Sequence, residues 1–124
     1  MITGIGTDIV QVSRIQRSIE KESGFRELVF AKEEMEYCAS QTNQYQHYAA
    51  RFAAKEAFFK ALGTGWTEGT AFNEVVVVKD EKGKPGLILT GQTAVTLSHL
   101  QQAHMWLSIS HIDELATATV VIEV

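Results

Sequence analysis

The sequence has one cysteine and one proline in 124 residues. Cys38 alone can neither close an internal disulfide nor build a cysteine zinc site, so the chain reads as a cytoplasmic protein of a reducing compartment. Long apolar runs are missing too. None exceeds four residues, too short to span a bilayer. Met1-Ile2-Thr3-Gly4 has neither the basic region nor the apolar stretch of a signal peptide. Nor is there a basic excess: 11 Lys and Arg against 15 Asp and Glu leave a net charge of -4. Such a chain has no general attraction to nucleic acid or to an anionic membrane. Several signatures are absent as well. Gly4-Ile5-Gly6-Thr7-Asp8-Ile9 lacks the third glycine of a dinucleotide fingerprint, and Gly83-Lys84 lacks the earlier glycine of a P-loop. No serine sits in a Gly-x-Ser-x-Gly elbow. His47, His99, His104 and His111 include no i, i+4 pair, which speaks against a helical zinc site.

What is present is ordinary globular material, 45% hydrophobic and 21% charged, of a length that suits one domain over residues 1–124. Residues 3–9 read as a strand that something approaches closely, because Gly4 and Gly6 share one face with Asp8. Residues 10–21 follow as an amphipathic helix. Val12, Ile15 and Ile19 mark its apolar face, and Arg14, Arg17 and Lys21 mark a basic stripe opposite. A solvated surface would look the same, but the stripe is free of acid on an acidic protein. Two short helices are expected near residues 25–30 and 32–39, with Glu33, Glu34 and Glu36 on the wet side. A long helix is expected over 43–62, with Asn43 as N-cap, Gln46 reaching back and Gly63 as the stop. Strands at 72–79 and 86–90 would form a hairpin around the Gly83–Pro85 turn. A helix over 93–103 and strands at 105–110 and 116–124 complete the chain. This order favours an α+β fold in which an antiparallel sheet packs against one long central helix and several shorter ones.

The chemistry concentrates in Arg51-Phe52-Ala53-Ala54-Lys55-Glu56-Ala57-Phe58-Phe59-Lys60-Ala61-Leu62-Gly63. On a helix, Glu56 and Lys60 share a face that is otherwise small or apolar, where a carboxylate needs a partner. One reading is a plain Glu56–Lys60 pair at i, i+4. The other joins Glu56 to Asp8. Two carboxylates in a small core suit magnesium, which keeps several waters and takes substrate phosphates as its remaining ligands. Lys60 would then meet a phosphate as a point charge, and the glycines after it would let backbone come close.

The pair of motifs, Gly4 to Ile9 followed by Phe52 to Gly65, resembles the holo-(acyl-carrier-protein) synthases, the short bacterial class of 4′-phosphopantetheinyl transferases. The resemblance extends along the chain through Gly83-Lys84-Pro85 and Leu107-Ser108-Ile109-Ser110-His111. It implies transfer of the 4′-phosphopantetheine arm of coenzyme A to a serine of apo acyl carrier protein, for fatty acid biosynthesis. The same transfer to a secondary-metabolism carrier, and a non-catalytic carrier- or nucleotide-binding module, are the alternatives. The resemblance implies Asp8 and Glu56 as Mg2+ ligands and Lys60 on the diphosphate. It implies Gly63, Arg51, Pro85 and His111 near the coenzyme, although Arg51 could equally be a surface residue. It also implies a homotrimer with sites between subunits, and carrier docking on Arg14, Arg17, Lys21, Phe25 and Arg26. Asp8, Glu56 and Lys60 would be catalytic, with Glu56 through a metal-bound water, or His111, as the base. Two positions depart from the family. Phe59 precedes Lys60 where relatives often have a small residue, and Ile112, not an acid, follows His111.

Overall fold

The structure is a computed structural model that describes residues 1–124. It is built around one helix, α4 (Gln44–Leu62). Eleven of its residues, from Tyr48 to Ala61, are buried. A helix buried on nearly all sides must be covered by several elements. One cover is a three-stranded antiparallel sheet in the order β1 (Ile2–Gln11), β5 (Leu115–Glu123), β4 (His104–Ile112). Its inward face carries Gly4, Gly6, Ala116, Ala118, Val120 and Ile122, small or aliphatic residues that seat against the alanines of α4. The approach is closest at β1, where a β-carbon on Gly6 would collide with the Ala57 carbonyl oxygen and one on Gly4 with that of Ala61. The element that approaches the glycine strand is therefore α4.

The other cover is helical. α1 (Val12–Glu20) buries Val12, Ile15 and Ile19, the face expected from their spacing. α2 (Phe25–Val29) and α3 (Lys32–Ala39) follow. A separate two-stranded hairpin, β2 (Val75–Lys79) with β3 (Pro85–Leu89), pairs antiparallel and buries Val75, Val76 and Val77. α5 (Gly91–Thr96) lies between β3 and β4.

The α+β architecture stands, with several differences of detail. The strands form two sheets rather than one. Residues Phe72–Glu74 make a 3-10 turn before β2 instead of its first half. The helix expected over 93–103 is the six-residue α5 plus a 3-10 turn at Ser98–Leu100. Gly63 does end α4, in the left-handed conformation at φ 82°. Asn43 is its N-cap residue, but its amide donates to the Gln46 side chain rather than capping a backbone group.

Glu34 is the largest correction. Expected on the wet side of α3, it is fully buried and paired with Lys55 at 2.7 Å. Lys55 also donates to the carbonyls of Phe72 at 2.9 Å and Val75 at 2.6 Å. Glu34 in turn accepts from the Val77 amide at 2.9 Å and the Ala31 amide at 2.9 Å. These bonds tie α3, α4 and β2 together without leaving either charge bare.

Candidate functional site

Asp8 projects from the α4-facing side of β1, on the same side as Gly4 and Gly6. Its backbone carbonyl accepts from Thr117 Oγ1 at 2.8 Å, which fixes the strand at this point against β5. Because the glycines bring β1 onto α4, Asp8 meets residues one turn apart on that helix. Lys60 Nζ donates to Asp8 Oδ1 at 2.9 Å and to the Thr7 carbonyl at 3.0 Å. The i, i+4 reading is corrected: Lys60 pairs across to Asp8, and no Glu56–Lys60 ion pair forms.

Glu56 belongs to the same group. Burial holds its pKa above the usual carboxylate value, and the Asp8 charge pushes it the same way. Lys60 and Arg14 pull it down. Arg14, on α1, is therefore near enough for its charge to act on Glu56, a connection its place in the basic stripe did not suggest. Two carboxylates that repel each other, with a lysine beside them, form a donor set of hard oxygens. It suits a hard cation that draws its remaining ligands from water or phosphate. No group of three or more His, Cys, Asp or Glu residues is placed to hold a metal, so no all-protein cage competes with this pair. Gly63 closes α4 one turn past Lys60, its N–H bonding the Lys60 carbonyl at 3.0 Å.

Arg51, His111 and Pro85 fall into other groups. Arg51 is 4% exposed, which overturns its reading as a surface residue. Its guanidinium lies 4.4 Å from the centroid of the Tyr37 ring, and its Nε is buried without a partner. His47 packs on the same Tyr37 ring, and His111 stands beside His47, their rings 5.4 Å apart. Burial holds the His47 pKa down, and the charges of His111 and Arg51 add to the effect. Lys79 completes this cationic and aromatic group by donating to Tyr37 Oη at 2.6 Å. Lys79 also borders a cleft of about 400 Å³ lined by Lys84, Pro85, His104 and Trp106. Pro85 thus opens β3 at the mouth of a cleft of its own.

On α1, Arg14 and Arg17 are exposed, and Lys21 lies at the helix C-terminus. Phe25 turns partly inward, its ring 6.0 Å from that of Phe52. Arg26 is exposed and held to Glu27 at 3.3 Å. Sequence reasoning missed Tyr37, His47 and Lys79 around Arg51. The only available signal was Arg51 itself, a charge on a helix otherwise rich in alanine and aromatics.

A family model described as the 4′-phosphopantetheinyl transferase superfamily matches residues 4–120. The chain belongs to that superfamily. This transferase is 46% identical to the holo-[acyl-carrier-protein] synthase of Cytophaga hutchinsonii, over 97% of its own length and 96% of the relative's. Among solved structures it resembles the holo-[acyl-carrier-protein] synthase of Neisseria meningitidis. That match has a TM-score of 0.89 and 35% identity, and covers 100% of both chains. The synthase of Bacillus anthracis, solved in complex with coenzyme A (3′,5′-ADP), matches at a TM-score of 0.81 and 36% identity, covering 99% of this chain and 97% of that one. The motifs around Asp8 and Glu56 therefore belong to an enzyme, and the transferase has the α+β fold of these synthases.

Proposed function

We propose that this transferase moves the 4′-phosphopantetheine arm of coenzyme A onto a serine of apo acyl carrier protein, releasing 3′,5′-ADP. The reaction would depend on Mg2+, take place in the cytoplasm and serve fatty acid biosynthesis, with residues 1–124 acting as one domain. The observation that carries this reading is the Asp8–Lys60 contact across β1 and α4, with Glu56 near enough to feel both charges. Relatives named for the reaction, one of them solved with coenzyme A, supply the substrate class.

Asp8 and Glu56 fit Mg2+. They offer two oxygens, and the repulsion between them is relieved by a cation. When bound, the ion supplies Lewis-acid charge neutralisation of a diphosphate. Phosphoryl transfer is mostly positioning and electrostatics, so the chain's own residues act mainly by placing charge. Lys60, with a half-exposed side chain, can leave the Asp8 carboxylate to meet phosphoryl oxygens. The glycines from Gly63 onward leave that end of α4 open to a ligand. The serine oxygen forms the new bond to phosphorus, its proton passes to a base, and the bond to the departing ADP phosphate breaks. Of the two expected bases, Glu56 lies beside Asp8 and Lys60. His111 is grouped with His47 and would serve the trio of a neighbouring copy in the proposed trimer.

A homotrimer is part of the proposal. The face of the three-stranded sheet turned away from α4 carries Ile5, Ile9, Trp106 and Ile112 in the open, with Ile5 and Ile112 each 69% exposed. These exposed apolar side chains, set in two groups on either side of the Thr7, Thr119 and Ser108 row, favour an association surface. Subunits meeting there would bring the Arg51, His111 and Pro85 groups of one copy towards the trio of another. The basic residues of α1 would meet the acidic carrier beside Glu56.

The test is intact-mass analysis of apo acyl carrier protein incubated with the enzyme, coenzyme A and Mg2+. The carrier should gain one phosphopantetheinyl arm, and Asp8→Ala or Glu56→Ala should abolish the gain. No gain with any of several carriers would refute the proposal in favour of a binding module.

A further inference from the structure

Helix α1 starts without a cap of its own. Gln11 makes no side-chain bond to the first-turn amides, and that turn contains no acidic residue. Orphan amides at a helix start need an acceptor from elsewhere. Here both come from one residue at the far end of the chain. The Glu114 carbonyl accepts from the Val12 amide at 2.8 Å. The Glu114 carboxylate accepts from the Ser13 amide at 2.8 Å, and Arg17 on the same helix adds electrostatic attraction.

Glu114 and Asp113 form the connection between β4 and β5, since Ile112 pairs with Leu115. Two-residue hairpins favour residues that accept positive φ, usually Asn-Gly or Asp-Gly. Neither Asp113 nor Glu114 has positive φ, so hairpin chemistry alone does not explain the glutamate. The same turn is fastened to the start of α4, where Gln46 Nε2 donates to the Asp113 carbonyl at 3.1 Å. The tip of the sheet thus grips the first turn of α1 and the first turn of α4 together.

We propose that Glu114 is a positioning residue for carrier-protein recognition. From the sheet it sets where α1 begins and how the helix is rotated. It thereby places Arg17 towards the incoming carrier and Arg14 between the carrier and Glu56. The inference rests on the reading of α1 as the carrier-docking helix. It adds that the docking surface is held from the β4–β5 hairpin, whose strands also present the bare sheet face.

The test is steady-state transfer with KM measured separately for apo carrier and for coenzyme A, using Glu114→Ala, Glu114→Gln and Arg17→Glu, with thermal unfolding of each. Glu114→Ala should raise the carrier KM about threefold to tenfold, the range spanned by loss of one helix cap. The coenzyme A KM should stay within about twofold, a shift too small to reflect a lost contact. Glu114→Gln keeps an acceptor oxygen and should restore most of the carrier KM. An unchanged carrier KM in Glu114→Ala, beside a raised one in Arg17→Glu, would overturn the role of Glu114 while leaving the docking helix intact. An unchanged carrier KM in Arg17→Glu would overturn the docking helix and, with it, this inference. A parallel rise of both KM values in Glu114→Ala would mark a general structural defect and overturn the positioning role.

Discussion

Glu56 is held in a setting that disfavours its charge, through burial first and the Asp8 carboxylate second. Its folded pKa is raised, so the fold binds a proton there more tightly than the unfolded chain does. Stability from this group is therefore complete below the unfolded carboxylate value and falls as pH rises through the folded one. Glu56→Gln removes that loss. In Mg2+-free buffer its melting temperature at pH about 7.5 should exceed that of the wild type, with the gap closing below pH about 4, while transfer measured with Mg2+ is lost. Thermal unfolding across pH reads this directly, and a less stable Glu56→Gln at neutral pH would contradict it. At this scale the sequence made Asp8 and Glu56 visible, since each is a carboxylate where a core element tolerates one poorly. It hid the partner of Lys60. An i, i+4 neighbour is apparent on one helix, whereas Asp8 lies 52 positions away and becomes a partner only once β1 seats on α4.

Among elements, the buried Lys55–Glu34 pair ties α4 to α3 and β2. Desolvation lowers the Lys55 pKa, and the Glu34 charge beside it opposes the shift. Removing one partner leaves a bare buried charge, so Lys55→Met should destabilise the fold by about 3–5 kcal/mol in urea titrations. Adding Glu34→Gln to Lys55→Met should recover part of that loss. If the double variant is as unstable as the sum of the two singles, the pair is not coupled and this account of α3, α4 and β2 fails. Glu34 escaped the sequence because three glutamates within four residues of α3 look like one solvated face. Only its i, i+4 relation to the buried Cys38 pointed inward. By contrast α1, α4 and the β2–β3 hairpin were legible, since periodicity, a terminal glycine and four consecutive valines are strong local signals. The 93–103 segment was not. Its short helix is held by Glu74, whose carboxylate accepts from Thr93 N–H at 3.0 Å and Oγ1 at 2.8 Å, a cap that no local pattern encodes.

For the whole molecule, the exposed outer face of the β1–β5–β4 sheet is the feature that a lone chain leaves unexplained. Ile5→Lys combined with Ile9→Lys should convert the proposed trimer to monomers by light scattering, leave the circular dichroism spectrum unchanged and cut transfer. A wild-type protein that is monomeric at micromolar concentration would contradict the trimer. The antiparallel α+β class was legible from element order. The division into two sheets was not, because strand pairing is set by contacts between residues as distant as Ile2 and Glu123. For the same reason the sequence could name Arg51, His111 and Pro85 but could not show that Arg51 packs on Tyr37, His111 on His47, and that Pro85 lines a separate cleft.

Electron paramagnetic resonance titration of Mn2+, as a stand-in for Mg2+, into the enzyme with coenzyme A present tests the meeting of positions 8 and 56 most directly. The wild type should bind one ion per site, and Asp8→Ala and Glu56→Ala should each weaken binding by about tenfold or more. Undiminished Mn2+ affinity in both variants would show that these carboxylates do not act together on a cation.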